Sequence, residues 1–223
     1  MLAPALIVFA FVLPGFRAEP GTPLATAAIN GQTAEVQRLI AAGDDVNAIA
    51  GGGFPALAWA SRAGQIEAMH ALKEGGAKLD AQDQGVNGWT PIMHALHKDR
   101  TKAALALLEW GADANATSRD GTTPLMRAAC ESEPEVVRAL LARGADPRRT
   151  TSGGTNALEF AVNGGNPDIV RMLLQAAPDL RLGDSFGSHL TRFVARLRGQ
   201  DAALDAIRDA KTHPAEPEAK PQG

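Results

Sequence analysis

The sequence contains no tyrosine, one cysteine and few other aromatics: seven Phe and three Trp. The lone Cys130 can close no intramolecular disulfide, and no Cys-x-x-Cys or Cys/His zinc spacing occurs. A core so poor in rings has to be built from Ala, Leu, Val and Ile. That composition suits helices packed at short distance better than a β-sandwich. Long basic runs are also missing, and the formal net charge is −3. The electrostatic footprint of a nucleic-acid binder is therefore lacking. The glycine stretches Gly51-Gly52-Gly53 and Gly153-Gly154 lack the Gly-x-x-x-x-Gly-Lys-Ser/Thr pattern, and no strand leads into them. They read as flexible hairpins rather than phosphate cradles. Against these absences stands an ordinary globular composition, 45% hydrophobic and 21% charged over 223 residues. One domain of moderate size with a real core is expected.

The first residues differ from the rest. Positions 2–16 carry no charge and are followed at once by Arg17, Ala18, Glu19, Pro20 and Gly21. Such a stretch has the length of a signal-peptide apolar region and is short for a membrane span. Residues 1–18 read as an export signal, which places the protein in the periplasm or outside the cell. The alternatives are an uncleaved membrane anchor, or an apolar helix packed on a cytoplasmic domain. The basic start of a standard signal is absent, and the −3 residue of a cut after Ala18 would be the large Phe16.

Beyond residue 20 the chain repeats itself. Gly88-Trp89-Thr90-Pro91-Ile92-Met93 echoes in Gly121-Thr122-Thr123-Pro124-Leu125-Met126. Weaker copies begin at Gly53, Gly154 and Pro20, and a degenerate sixth at Gly187. The second half of each unit keeps the same register. One slot reads Val36, Met69, Ala104, Val137, Val170 and Ala203, and another Leu39, Leu72, Leu107, Leu140, Leu173 and Ala206. A third reads Ile40, Lys73, Leu108, Leu141, Leu174 and Ile207, with Lys73 its one break. Spacings of three and four mark one apolar helix face, and the small Ala27, Ala60, Ala95, Ala128 and Ala161 mark a second, closely packed helix. Thr before Pro at 22–23, 90–91 and 123–124 predicts a capped helix start. Gly43, Gly76, Gly111 and Gly144 predict left-handed ends to the second helices. Asp45, Asp113, Asp146 and Asp179, with Asn47 and Asn115, are turn formers. No unit can bury its own apolar face, so stacking is obligatory.

Thr-Pro-Leu, a following Ala, a Val-Val-x-x-Leu-Leu helix and Gly-Ala-Asp-x-Asn resemble the ankyrin repeat. The resemblance spans residues 20–210 and implies an all-α solenoid of stacked helix–turn–helix units joined by short β-hairpins or loops. Five repeats would be followed by a degenerate C-terminal capping unit, whose Arg192, Arg196 and Arg198 give it a polar outer face. A disordered Pro/Glu/Lys/Ala-rich tail is expected over 211–223. The family's usual His after Pro-Leu is replaced by Ala25, Ala58, Met93, Met126 and Glu159, and two extra residues near Gln82–Asn87 lengthen one hairpin.

The resemblance implies protein recognition through hairpin tips and the exposed face of the first helix. Tips would carry Phe54, Trp89, Arg119, Asp120, Arg148 and Arg149. First-helix exits would carry Arg62, His97, Lys98, Cys130, Glu131 and Asn163. Trp110 and Arg143 stand just before the terminating glycines. Phe54 and Trp89 fall where the pattern predicts exposure. Each either anchors a partner or folds back on its own hairpin. Trp110 is expected to pack on the next unit's turn. The partner is another protein, with no small-molecule substrate and no cofactor or metal. Membrane contact is expected only through an uncleaved N-terminus.

Enzyme readings fare poorly. His94 and His97 stand three apart, but the register turns His94 inward and His97 outward, and no acid follows at i+4. Cys130 occupies the position of His97 one unit later, too far for a thiolate–imidazole pair across helices about 8–10 Å apart. The expectation is a non-enzymatic binding module: an exported accessory, inhibitor or immunity-type partner of bacterial kind, or else a membrane-tethered scaffold.

Overall fold

The computed structural model of the protein describes residues 21–85, 87–131, 133–182 and 201–212. Helices α1 (Pro23–Ile29) and α2 (Thr33–Ala41) make the first pair, α3 (Ala56–Ala63) and α4 (Ile66–Glu74) the second, and α5 (Pro91–Leu96) and α6 (Thr101–Glu109) the third. The fourth pair is α7 (Pro124–Cys130) with α8 (Pro134–Ala142), and the fifth α9 (Ala157–Gly164) with α10 (Pro167–Ala176). A last helix, α11 (Asp201–Thr212), packs on α10 and α9. First helices stack in one row, α1 on α3 on α5 on α7 on α9, and second helices in another, α2 on α4 on α6 on α8 on α10. Among the described residues, β-pairing is limited to isolated antiparallel bridges, Ile49 with Pro55 and Thr150 with Asn156. The N-terminal segment, residues 1–18, the first half of the sixth unit and the tail beyond Thr212 lie outside the described residues. α11 carries helix two residues into the stretch expected to be disordered.

The apolar slots read from the sequence form the core. Ala27, Ala60, Ala95, Ala128 and Ala161 are buried, as are Val36, Met69, Ala104, Val137 and Val170. Leu39, Leu72, Leu107, Leu140 and Leu173 are buried with them, and so are Ala203, Ala206 and Ile207 of α11. Burying each such Leu contributes about 1.5–3 kcal/mol. In the third slot Leu108, Leu174 and Ile207 are buried, whereas Ile40, Lys73 and Leu141 are half-buried. A lysine is tolerated there because its ammonium reaches Glu74 at 2.9 Å.

Helix ends follow the sequence with one exception. Thr22 accepts from Ala25 N at 3.2 Å and Thr123 from Met126 N at 3.2 Å. Thr90 starts α5 but caps nothing, and its buried hydroxyl has no partner. The lengthened hairpin before it is organised by Asp83 instead. In the slot of the missing family histidine, the Met126 sulfur accepts from Thr123 N at 3.5 Å, a weak stand-in. Gly43, Gly76, Gly111 and Gly144 have φ of +97°, +89°, +98° and +79°, with open space where a Cβ would sit. Backbone conformation alone requires glycine there.

The turns between units are stitched by one slot that changes along the stack. Asn47 donates to Gly76 O at 3.1 Å and accepts from Lys78 N at 2.9 Å. Asn115 repeats both bonds one junction further, to Gly144 O at 2.8 Å and from Asp146 N at 2.9 Å. Between them stands Asp80, which accepts from Asp113 N at 3.0 Å but has no amide hydrogen to donate.

Candidate interaction surface

Hairpins meet hairpins through backbone bonds. Gln84 N donates to Gly53 O at 2.7 Å, Arg119 N to Asn87 O at 3.0 Å, and Ser152 N to Asp120 O at 2.7 Å. At Gly53, φ is +82° and a Cβ would lie 2.9 Å from Gly85 N, so this close approach excludes a side chain. The tips are thereby fixed relative to one another.

Asp83 organises the hairpin that carries the two extra residues. Its carboxylate accepts from Gly85 N and Trp89 N, each at 2.9 Å, and from His94 Nε2 at 2.9 Å. Both partners are buried, and His94 Nδ1 has no hydrogen-bond partner. Burial strips water from the imidazolium and pushes His94 down to about 4, although the neighbouring Asp83 charge pulls the other way. A buried polar link here ties the hairpin to α5.

Rings assemble around that link. Phe54 lies 5.0 Å from Trp59 and 4.6 Å from His94, centroid to centroid. Trp89 lies 5.5 Å from His94 and 5.1 Å from His97, in edge-to-face geometry. The Arg127 guanidinium, from the next unit, sits 4.5 Å above the Trp89 ring. Its Nη2 donates to His97 Nδ1 at 2.9 Å and approaches Glu131 at 3.3 Å. His97 must be neutral to accept that bond. Burial, then the positive charges of Arg127, Lys98 and Arg62, hold it below its ordinary value. Phe54 and Trp89 are thus half-buried members of a cluster, not the exposed rings the repeat pattern predicts. Each finds aromatic neighbours on the adjoining helices, and burying apolar rings is favourable.

The remaining predicted residues divide. Arg62, Lys98 and Glu131 border the Trp89 cluster and are half-buried. Arg119, Asp120, Arg148 and Arg149 are exposed on the tips. Arg119 donates to Gly85 O, Arg149 to Asn115 O at 2.9 Å, and Arg148 pairs with Asp179 at 2.5 Å. Asp120 is held below its usual range: burial opposes ionisation there, but Ser118 and the backbone and hydroxyl of Thr122 outweigh it. Trp110, expected on the next unit's turn, also reaches the preceding unit. His70 of α4 meets its ring at 5.7 Å and the Lys73 ammonium lies 6.0 Å away. Arg143 reaches back to Leu108 O. Cys130 and Asn163 are half-buried at the ends of their helices. His94 is buried and His97 half-buried, in keeping with the inward and outward positions the register assigns, yet both rings pack on Trp89.

Two residues of the cluster escape a reading of the sequence. Asp83 lies in the irregular hairpin, where no register assigns it a neighbour. Arg127 was legible in principle, since it occupies the same first-helix slot as Trp59 and His94. Among the described residues, no group of three or more His, Cys, Asp or Glu is placed to hold a metal ion, and no helix is long and apolar enough to cross a membrane.

Comparison with known proteins agrees with this architecture. The family described as "Ankyrin repeats (3 copies)" matches three overlapping stretches, residues 24–118, 57–151 and 111–184. Ankyrin repeat protein nuc-2 of Neurospora crassa is 40% identical over 94 residues, which cover 42% of this chain and 9% of that protein. The chain therefore spans a small fraction of that relative's length. With matched repeats over most of its length and two rows of helices in the register they require, the chain belongs to the ankyrin-repeat family.

Proposed function

We propose that this chain is a recognition module that docks another protein on its hairpin and first-helix side. Ankyrin repeats in general bind other proteins, and the family is typically non-enzymatic. The observation that carries the reading is the Trp89–Arg127–His97 corner, where a half-buried tryptophan and an arginine from adjoining units meet at the surface. Trp and Arg are the residues that most often dominate binding energy at interfaces. A photo-reactive amino acid placed at Arg62 should crosslink a protein partner, and the same group at Arg138, exposed on α8, should not. Crosslinking from position 138 alone would overturn the reading.

The uncharged run at 2–16 supports export, with the module acting as an inhibitor, an antidote or a stabiliser of another exported protein. Mass spectrometry of the mature N-terminus tests this. A chain starting near Glu19 supports release, whereas an intact Met1 in the membrane fraction supports a tethered scaffold.

A further inference from the structure

We infer that the Trp89–Arg127 corner receives a carboxylate side chain from an extended acidic segment of the protein partner. The inference rests on the reading of this side as the docking face, and names the chemistry of what docks.

Charge carries the argument. Arg62, Lys98 and Arg127 all act on the His97 imidazole, so their positive fields overlap at one place. Glu131 answers Arg127 at 3.3 Å. Arg62 and Lys98 have no carboxylate partner among the described residues, and Asp99 is the acid whose field reaches His97. Along the same side, Arg149 spends its donor on a neutral carbonyl, Asn115 O, which leaves its charge uncompensated. The second-helix row is different. There acids and bases close on each other within single helices, as in Glu35 with Arg38, Lys73 with Glu74, and Asp168 with Arg171. A chain with net charge −3 thus presents a locally positive surface on its hairpin and first-helix side. Such a patch steers an acidic partner and repels the chain's own surplus sign.

Geometry adds selectivity. The three cations are half-buried, so water screens them less than fully exposed charges. The Arg127 Nε–H is buried and finds no acceptor. Beside it, the half-buried Trp89 ring supplies apolar contact for the partner's backbone or a neighbouring side chain. A carboxylate seated beside Arg62 and Lys98 would meet two cations that no carboxylate answers among the described residues, with the Arg127 charge adding to their field.

A random twelve-residue peptide display library, panned on the full chain, tests the idea. Clones whose capture is lost on the Arg62→Gln/Lys98→Gln variant should be rich in Asp and Glu. Synthetic peptides from those clones should bind about tenfold more tightly than counterparts with every Asp and Glu replaced by Asn and Gln. Their affinity should also fall as salt rises from about 0.05 M to about 0.5 M. The amide comparison uses the unaltered protein, so it stands even if the double variant folds poorly. Face-dependent clones without excess acid, or amide peptides that bind equally well, would overturn the inference and leave protein recognition standing. No clone dependent on this face would sink both.

Discussion

The two rows of helices share one period and one core but use their surfaces differently. On the second-helix row, opposite charges pair within single helices, Glu35 with Arg38 at 2.6 Å and Asp168 with Arg171 at 2.6 Å, and the contacts between units include Trp110 with His70 and Thr101 with Glu133. On the hairpin and first-helix side, side chains reach across units: Phe54 to His94, Arg127 to Trp89 and His97, Arg149 to Asn115. Local pairs of the first kind contribute at most a few tenths of a kcal/mol each and leave each helix independent. Contacts of the second kind pool residues from neighbouring units into one surface. A single substitution there is felt beyond its own repeat.

The contrast can be broken in four places. Leu140→Ala removes a fully buried side chain shared by both rows and should cost about 2–5 kcal/mol of stability, read from chemical denaturation. A loss below about 1 kcal/mol would mean that the stack is not packed as described. Acid comes next. His94 titrates at about 4 in the fold and near 6.5 when unfolded, so the unfolded chain takes up a proton that the folded chain refuses. Stability is then full above about pH 6.5 and falls by up to roughly 3 kcal/mol as the pH drops to about 4. His97, also lowered, adds to the loss with the same sign. His94→Gln should flatten the slope between those pH values, and an unchanged slope would remove His94 as its source. Trp89→Ala should cost about 1–2 kcal/mol, because the ring loses two imidazole contacts and a guanidinium. Least of all, Arg148→Ala breaks an exposed pair with Asp179 and should leave the melting temperature unchanged. A clear drop would show that exposed tip charges matter as much as the buried link.

What the sequence reveals of the fold depends on what repeats. Leu107, Leu140 and Leu173 declare the core because each recurs at one spacing with the same neighbours, and the terminal glycines declare themselves because a left-handed residue follows the second helix in each of the first four units. The site is less legible. Arg62 and Lys98 fall at the first-helix exits, where the register alone positions them. The register puts Phe54 and Trp89 on the tips but does not turn them inward, because their burial depends on His94 and Arg127, which the register does not relate to them. Asp83 was invisible. It acts from an irregular loop, and its three bonds depend on a chain path that no periodicity encodes.

The junction slot that runs Asn47, Asp80, Asn115 and Arg148 also makes the solenoid mechanically uneven. At Asp80 one of the two strands of stitching is missing, because a carboxylate cannot tie to the neighbouring carbonyl. Pulled from its ends, the stack is expected to part first between its second and third units at those turns, and an Asp80→Asn exchange would supply the absent tie and move the first rupture elsewhere.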